Sequence, residues 1–125
     1  MIRQMTARQL HERLAAGGPV PLILDVREPW ETRICALPGS LHIPMGQIPM
    51  RARELPVDAE IVVLCHHGVR SQRVAYFLQS LGYDLLFNLA GGIADGIEAR
   101  SPRQGWRDCA FDAWSKDVDP TMAKY

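Results

Sequence analysis

Two rhythms of apolar and polar positions run along this chain: short unbroken apolar runs, and apolar residues spaced one helical turn apart. Leu22-Ile23-Leu24-Asp25-Val26 is a run of the first kind, the pattern of a buried parallel strand. Ile61-Val62-Val63-Leu64, within residues 60–65, is the clearest strand. Leu41-His42-Ile43, ended by Pro44, and Leu85-Leu86-Phe87-Asn88 are two more. The second rhythm predicts helices. Thr6 and Gln9 form a capping box ahead of Leu10 and Leu14, and Gly17-Gly18-Pro19 ends that helix. A short helix follows a turn at Pro29, and Gln47–Leu55 is helical in composition with Pro49 in its first turn. Residues 71–81 predict a helix with Val74, Phe77, Leu78 and Leu81 on one stripe and Gly82 as its stop. Strands therefore alternate with helices, which predicts an α/β fold with a mostly parallel sheet and helices on both faces.

Composition narrows the class. The 125 residues suit one domain spanning 1–125, and 47% apolar content allows a core without staples. Fourteen basic and fourteen acidic residues balance, so nothing draws the chain as a whole toward nucleic acid or an acidic membrane. No apolar stretch is long enough for a signal peptide or a membrane span. Cys35, Cys65 and Cys109 are odd in number and far apart, which suits a reducing compartment, by default the cytoplasm, rather than a disulfide framework.

The chemistry concentrates in Cys65-His66-His67-Gly68-Val69-Arg70-Ser71, between the best strand and the best helix. Ligands of such sheets bind beyond the carboxyl ends of strands. A helix start there offers free N–H groups and a positive dipole end, which favour the nucleophilic thiolate. Gly68 allows a tight curl that aims successive N–H groups inward. Arg70 offers a fixed positive charge able to grip an oxyanion, and Ser71 a helix cap. His66 and His67 either form an electropositive rim or are plain loop residues. Metal-ligand spacings are absent, so no metal is expected. A cysteine ending a strand is often only a small core residue; its combination with Gly68 and Arg70 argues otherwise.

This loop resembles the Cys-x-x-Gly-x-Arg/Ser loop of rhodanese domains. Asp25-Val26-Arg27-Glu28, Leu37-Pro38-Gly39-Ser40-Leu41-His42-Ile43-Pro44, Phe77–Tyr83 and Asn88-Leu89-Ala90-Gly91-Gly92-Ile93 are similar to further segments of that family, in the same order. The similarity covers roughly residues 5–93 and resumes near Asp112-Ala113-Trp114. It implies a five-stranded sheet and a sulfurtransferase without cofactor. A donor such as thiosulfate passes sulfur to Cys65 as a persulfide, and cyanide, a thiol or a sulfur-relay protein removes it. The resemblance implies that His66, His67, Gly68, Val69, Arg70 and Ser71 bind substrate and that Asp25 and Arg27 support the site. Related phosphatases and arsenate reductases have a loop one residue longer, so the six residues from Cys65 to Arg70 favour sulfur over phosphate. A non-catalytic interaction domain is the other reading. Two departures from the family pattern stand out: Cys35-Ala36 replaces a Gly-His pair, and residues 94–111 look inserted; Glu28 and Glu31 read as solvated helix residues. Cys35 is a candidate to resolve a Cys65 persulfide, and residues 94–111 a candidate docking flap.

Overall fold

A computed structural model describes residues 2–34, 36–37 and 39–93. Cys35, Cys109, the 94–111 segment and Trp114 therefore lie outside the described residues, with every expectation attached to them. The strands are β1 (Arg3–Met5), β2 (Leu22–Asp25), β3 (Leu41–His42), β4 (Ile61–Leu64) and β5 (Leu86–Leu89). The helices are α1 (Ala7–Ala15), α2 (Pro29–Ile34), α3 (Ile48–Arg51) and α4 (Val69–Ser80). The five strands form one sheet in the order β1-β5-β4-β2-β3, and all pairs are parallel.

Residues along β4 alternate between two cores. Ile61, Val63 and Cys65 face a cluster with Ile48 of α3 and Val74, Ala75 and Leu78 of α4. Val62 and Leu64 face the other cluster, with Leu10 of α1, Leu89 and Ile93. Helices thus cover both faces, which is why β4, and β2 up to its final Asp25, are runs of apolar residues rather than alternating. The capping box forms as expected: Gln9 N–H donates to Thr6 Oγ1 at 3.0 Å, and Thr6 N–H to Gln9 Oε1 at 2.9 Å.

The structure departs from the pattern in three places. β1 is a strand although Arg3-Gln4-Met5 has no apolar run; it exists because β5 offers it a parallel edge, Arg3 beside Phe87 and Met5 beside Leu89. The Gln47–Leu55 stretch is a 3-10 turn (Met45–Gln47), the short α3 and a second 3-10 turn (Ala52–Glu54). On α4 the buried residues are Arg70, Ser71, Val74, Ala75 and Leu78, whereas Phe77 and Leu81 are exposed. The helix begins at Val69, two residues earlier than the apolar pattern suggests, and its inward stripe follows Ser71 rather than Phe77.

The chain leaves β2 toward β3 on one side and returns to β4 on the other. The order therefore reverses between β2 and β4. Asp25, at the end of β2, is in register with Leu64, the residue before Cys65. That is the crevice where a parallel sheet places its ligand.

Candidate active site

Cys65 follows directly on β4 and is fully buried. The next residues curl back on it. Gly68 caps α4 with φ of +96°, a left-handed conformation that suits glycine and turns its N–H inward. That N–H lies 3.0 Å from Cys65 Sγ, and the Ser71 N–H lies 3.4 Å from it. Two backbone donors at the start of a 12-residue helix thus converge on one sulfur.

Ser71 is not the helix cap that its position suggested. It sits inside the first turn, and Gly68 holds the cap with no side-chain hydrogen bond. The Ser71 hydroxyl donates to Asn88 Oδ1 at 2.5 Å and lies 3.4 Å from Cys65 Sγ. Asn88 Nδ2 in turn donates to Gln4 Oε1 at 2.9 Å. The sequence marked Asn88 only as part of a strand and of a family-like segment, and Gln4 not at all, because their contacts depend on β5 lying beside β4 and β1 beside β5.

The floor of the loop is built by the Gly91-Gly92 turn. Ile93 N–H donates to the Cys65 carbonyl at 2.9 Å. Gly92 has φ of +66°, and a Cβ there would collide with the carbonyl oxygens of Cys65 and His66. This explains the paired glycines physically: the turn presses against the backbone of the loop.

Arg70 is 7% exposed, and its guanidinium does not face open solvent. Nη1 and Nη2 donate to Glu31 Oε2 and Oε1 at 2.6 and 2.8 Å. Glu31 is therefore not a solvated helix residue; it is 1% exposed and also accepts the Glu28 N–H at 2.8 Å. Burial alone would raise the Glu31 pKa, but the Arg70 and Glu28 hydrogen bonds prevail and hold it below the usual carboxylate range. Burial works against the Arg70 charge too, and the pairing with Glu31 overcomes it, so the Arg70 pKa rises. Glu28 itself is exposed.

The two histidines separate. His67 is exposed, with its ring 4.0 Å from that of His66. His66 is 4% exposed, and burial, reinforced by His67, lowers its pKa to about 4. It is neutral at physiological pH, so it adds no charge to an electropositive rim. Val69 is exposed at the mouth of the loop.

Asp25 and Arg27 form a second buried pair. Arg27 Nε and Nη2 donate to the Asp25 carboxylate at 2.9 and 2.7 Å. The Arg27 carbonyl accepts His42 Nε2 at 2.7 Å, which ties the end of β2 to β3. These contacts brace the crevice from the β2 side.

A scan against protein families matches the rhodanese-like domain over residues 6–99. A sulfurtransferase from Allochromatium vinosum is 37% identical over 74% of this chain and 86% of its own length. A protein from Tolumonas auensis named thiosulfate sulfurtransferase GlpE is 27% identical over 71% of this chain and 74% of its own length. A crystal structure of a rhodanese-related protein from Thermoplasma volcanium superposes with a TM-score of 0.71 at 33% identity, covering 80% of this chain and 95% of that one. Two longer relatives, from Bacillus subtilis and Arabidopsis thaliana, are spanned over only 40% and 38% of their lengths. The sequence motifs, the parallel sheet and these likenesses agree: the chain belongs to the rhodanese-like domain family.

Proposed function

We propose that this protein is a sulfurtransferase that carries sulfane sulfur as a persulfide on Cys65. One observation supports this above the others: the Gly68 and Ser71 N–H groups both aim at Cys65 Sγ, at 3.0 and 3.4 Å. Donors so placed favour negative charge on the cysteine sulfur and on one further sulfur attached to it. A plain core cysteine needs neither.

In the first half-reaction the Cys65 thiolate attacks the outer sulfur of a donor such as thiosulfate. The S–S bond of the donor breaks, sulfite leaves with the electron pair, and the enzyme keeps a persulfide anion. In the second, cyanide, a thiol or a partner protein attacks that outer sulfur, and the Cys65 thiolate returns. Residues 66–71 form the cradle, and Asp25 and Arg27 support it. A reducing compartment such as the cytoplasm would keep the thiol available.

The test is thiocyanate formation from thiosulfate and cyanide by the wild type and by Cys65→Ser. The variant should lose turnover while keeping its fold, and unchanged turnover would refute Cys65 as carrier. The complete burial of Cys65 favours a second reading, a non-catalytic recognition domain. A folded wild type that never takes up sulfur from any donor would decide for it.

A further inference from the structure

We propose that Glu31 determines donor selectivity: by cancelling the charge of Arg70 beside Cys65, it favours a neutral or singly charged sulfane-sulfur donor over the thiosulfate dianion. The inference rests on the reading of Cys65 as the sulfur carrier.

The observation is a matter of charge balance in a buried place. Both terminal nitrogens of Arg70 are engaged by Glu31, at 2.6 and 2.8 Å, in a pair whose side chains are 9% and 1% exposed. Turning Arg70 onto a donor would strand a buried carboxylate, which is strongly unfavourable. Arg27 is held by its own carboxylate, Asp25, in a pair more deeply buried still. The exposed carboxylate of Glu28 also acts on Arg70. His66 is neutral through burial, which leaves His67 outside on the exposed rim. Among the described residues, each buried arginine near the loop is therefore matched by a carboxylate.

Among the described residues, what remains inside the loop for a donor is the backbone, with His67 outside on the rim. The N–H groups at the start of α4 carry the equivalent of about half a positive elementary charge, which favours one negative charge and falls well short of two. Among the described residues, a dianion entering the same crevice meets no second buried cation that is not already matched by a carboxylate, and burying charge without a partner is costly. The donor class that fits is a hydropersulfide, R–S–SH, or a singly charged analogue. In transfer from R–S–SH the Cys65 thiolate bonds to the outer sulfur, the S–S bond breaks, and the thiolate R–S⁻ leaves. The proton stays on the transferred sulfur until solvent takes it.

The charge effect is isolated by two donors of like shape, thiosulfate (two negative charges) and the methanethiosulfonate anion (one). The second transfers its outer sulfur and releases methanesulfinate. The wild type should show a kcat/KM for methanethiosulfonate about tenfold or more above that for thiosulfate. Glu31→Gln exposes the Arg70 charge, and should shift this ratio toward thiosulfate by about tenfold, mainly through a lower KM for thiosulfate. Arg70→Gln should shift it the other way, and the double variant, again neutral, should return it toward the wild-type value. A merely structural Glu31 would lower both activities and leave the ratio alone. An unchanged ratio in folded Glu31→Gln, or a wild type that prefers thiosulfate, overturns the proposal. If Glu31→Gln does not fold, the wild-type preference and the Arg70→Gln ratio decide it. No persulfide from either donor overturns the sulfur-carrier reading itself.

Discussion

Two buried arginine–carboxylate pairs flank the crevice, and they are alike in chemistry but not in reach. Asp25 and Arg27 are two residues apart, close their bidentate contact at the end of β2, and are almost wholly hidden. Glu31 and Arg70 are 39 residues apart and join α2 to α4 across the mouth of the Cys65 loop. The first pair braces backbone: the Arg27 carbonyl also takes His42 from β3. The second faces the nucleophile, and Cys65 is among the groups acting on Arg70. A buried pair gains little net stability over an apolar substitute, yet breaking one partner is severe. The difference teaches that like chemistry can serve two ends: one pair ties neighbouring backbone elements together, while the other lies beside Cys65, where, as proposed, it sets the charge a donor meets.

The sharpest way to separate them is to remove one partner. Asp25→Ala takes from buried Arg27 its bidentate carboxylate, and should cost about 3–5 kcal/mol in urea unfolding. Against a total stability of about 5–15 kcal/mol this approaches loss of the fold. A near-wild-type midpoint would break the bracing half of the comparison.

Acid probes the other side of the site. The His66 pKa of about 4 lies below the ordinary 6.5, so the unfolded chain takes up the proton first. Its stabilising share is complete above pH 6.5 and falls progressively as the pH drops toward about 4. The loss should reach about 3 kcal/mol, at roughly 1.4 kcal/mol per unit. Glu31, lowered from 4.5, acts in the same direction, its share being present above 4.5 and lost below it. His66→Asn should flatten the curve between pH 6.5 and 5; a wild-type stability already flat there would contradict the burial argument.

Smaller effects follow at the loop's supports. Gly92→Ala combines a left-handed φ with a collision against the Cys65 and His66 carbonyls. It should cost about 1–3 kcal/mol and slow sulfur uptake more than it lowers the melting temperature suggests. Ser71→Ala leaves Asn88 Oδ1 without its hydroxyl donor and should cost about 1–2 kcal/mol. Unchanged thermal unfolding in both variants would show that the loop is held elsewhere.

The legible parts of the molecule were those decided locally. β2 and β4 are apolar runs with no competing pattern, and the Thr6–Gln9 capping box is closed within four residues. The Cys65 loop could be placed because strand, glycine and helix succeed one another. Asp25 and Arg27 were also within reach, being neighbours. What stayed hidden needed partners distant in the chain. Glu31 has the surroundings of a surface helix residue until Arg70 is brought to it. Asn88 meets Ser71 only because β5 lies beside β4. Phe77 follows the helical spacing as well as Ala75 does, and only the docking of α4 on the sheet turns one out and the other in.

The central claim is that Cys65 carries the sulfur. Intact-protein and peptide mass spectrometry after incubation with methanethiosulfonate or thiosulfate, then removal of the donor, tests it directly. The account predicts a gain of one sulfur atom, located on the peptide containing Cys65, removed by cyanide and absent in Cys65→Ser. A folded wild type that gains no sulfur, or gains it on a different residue, would contradict it.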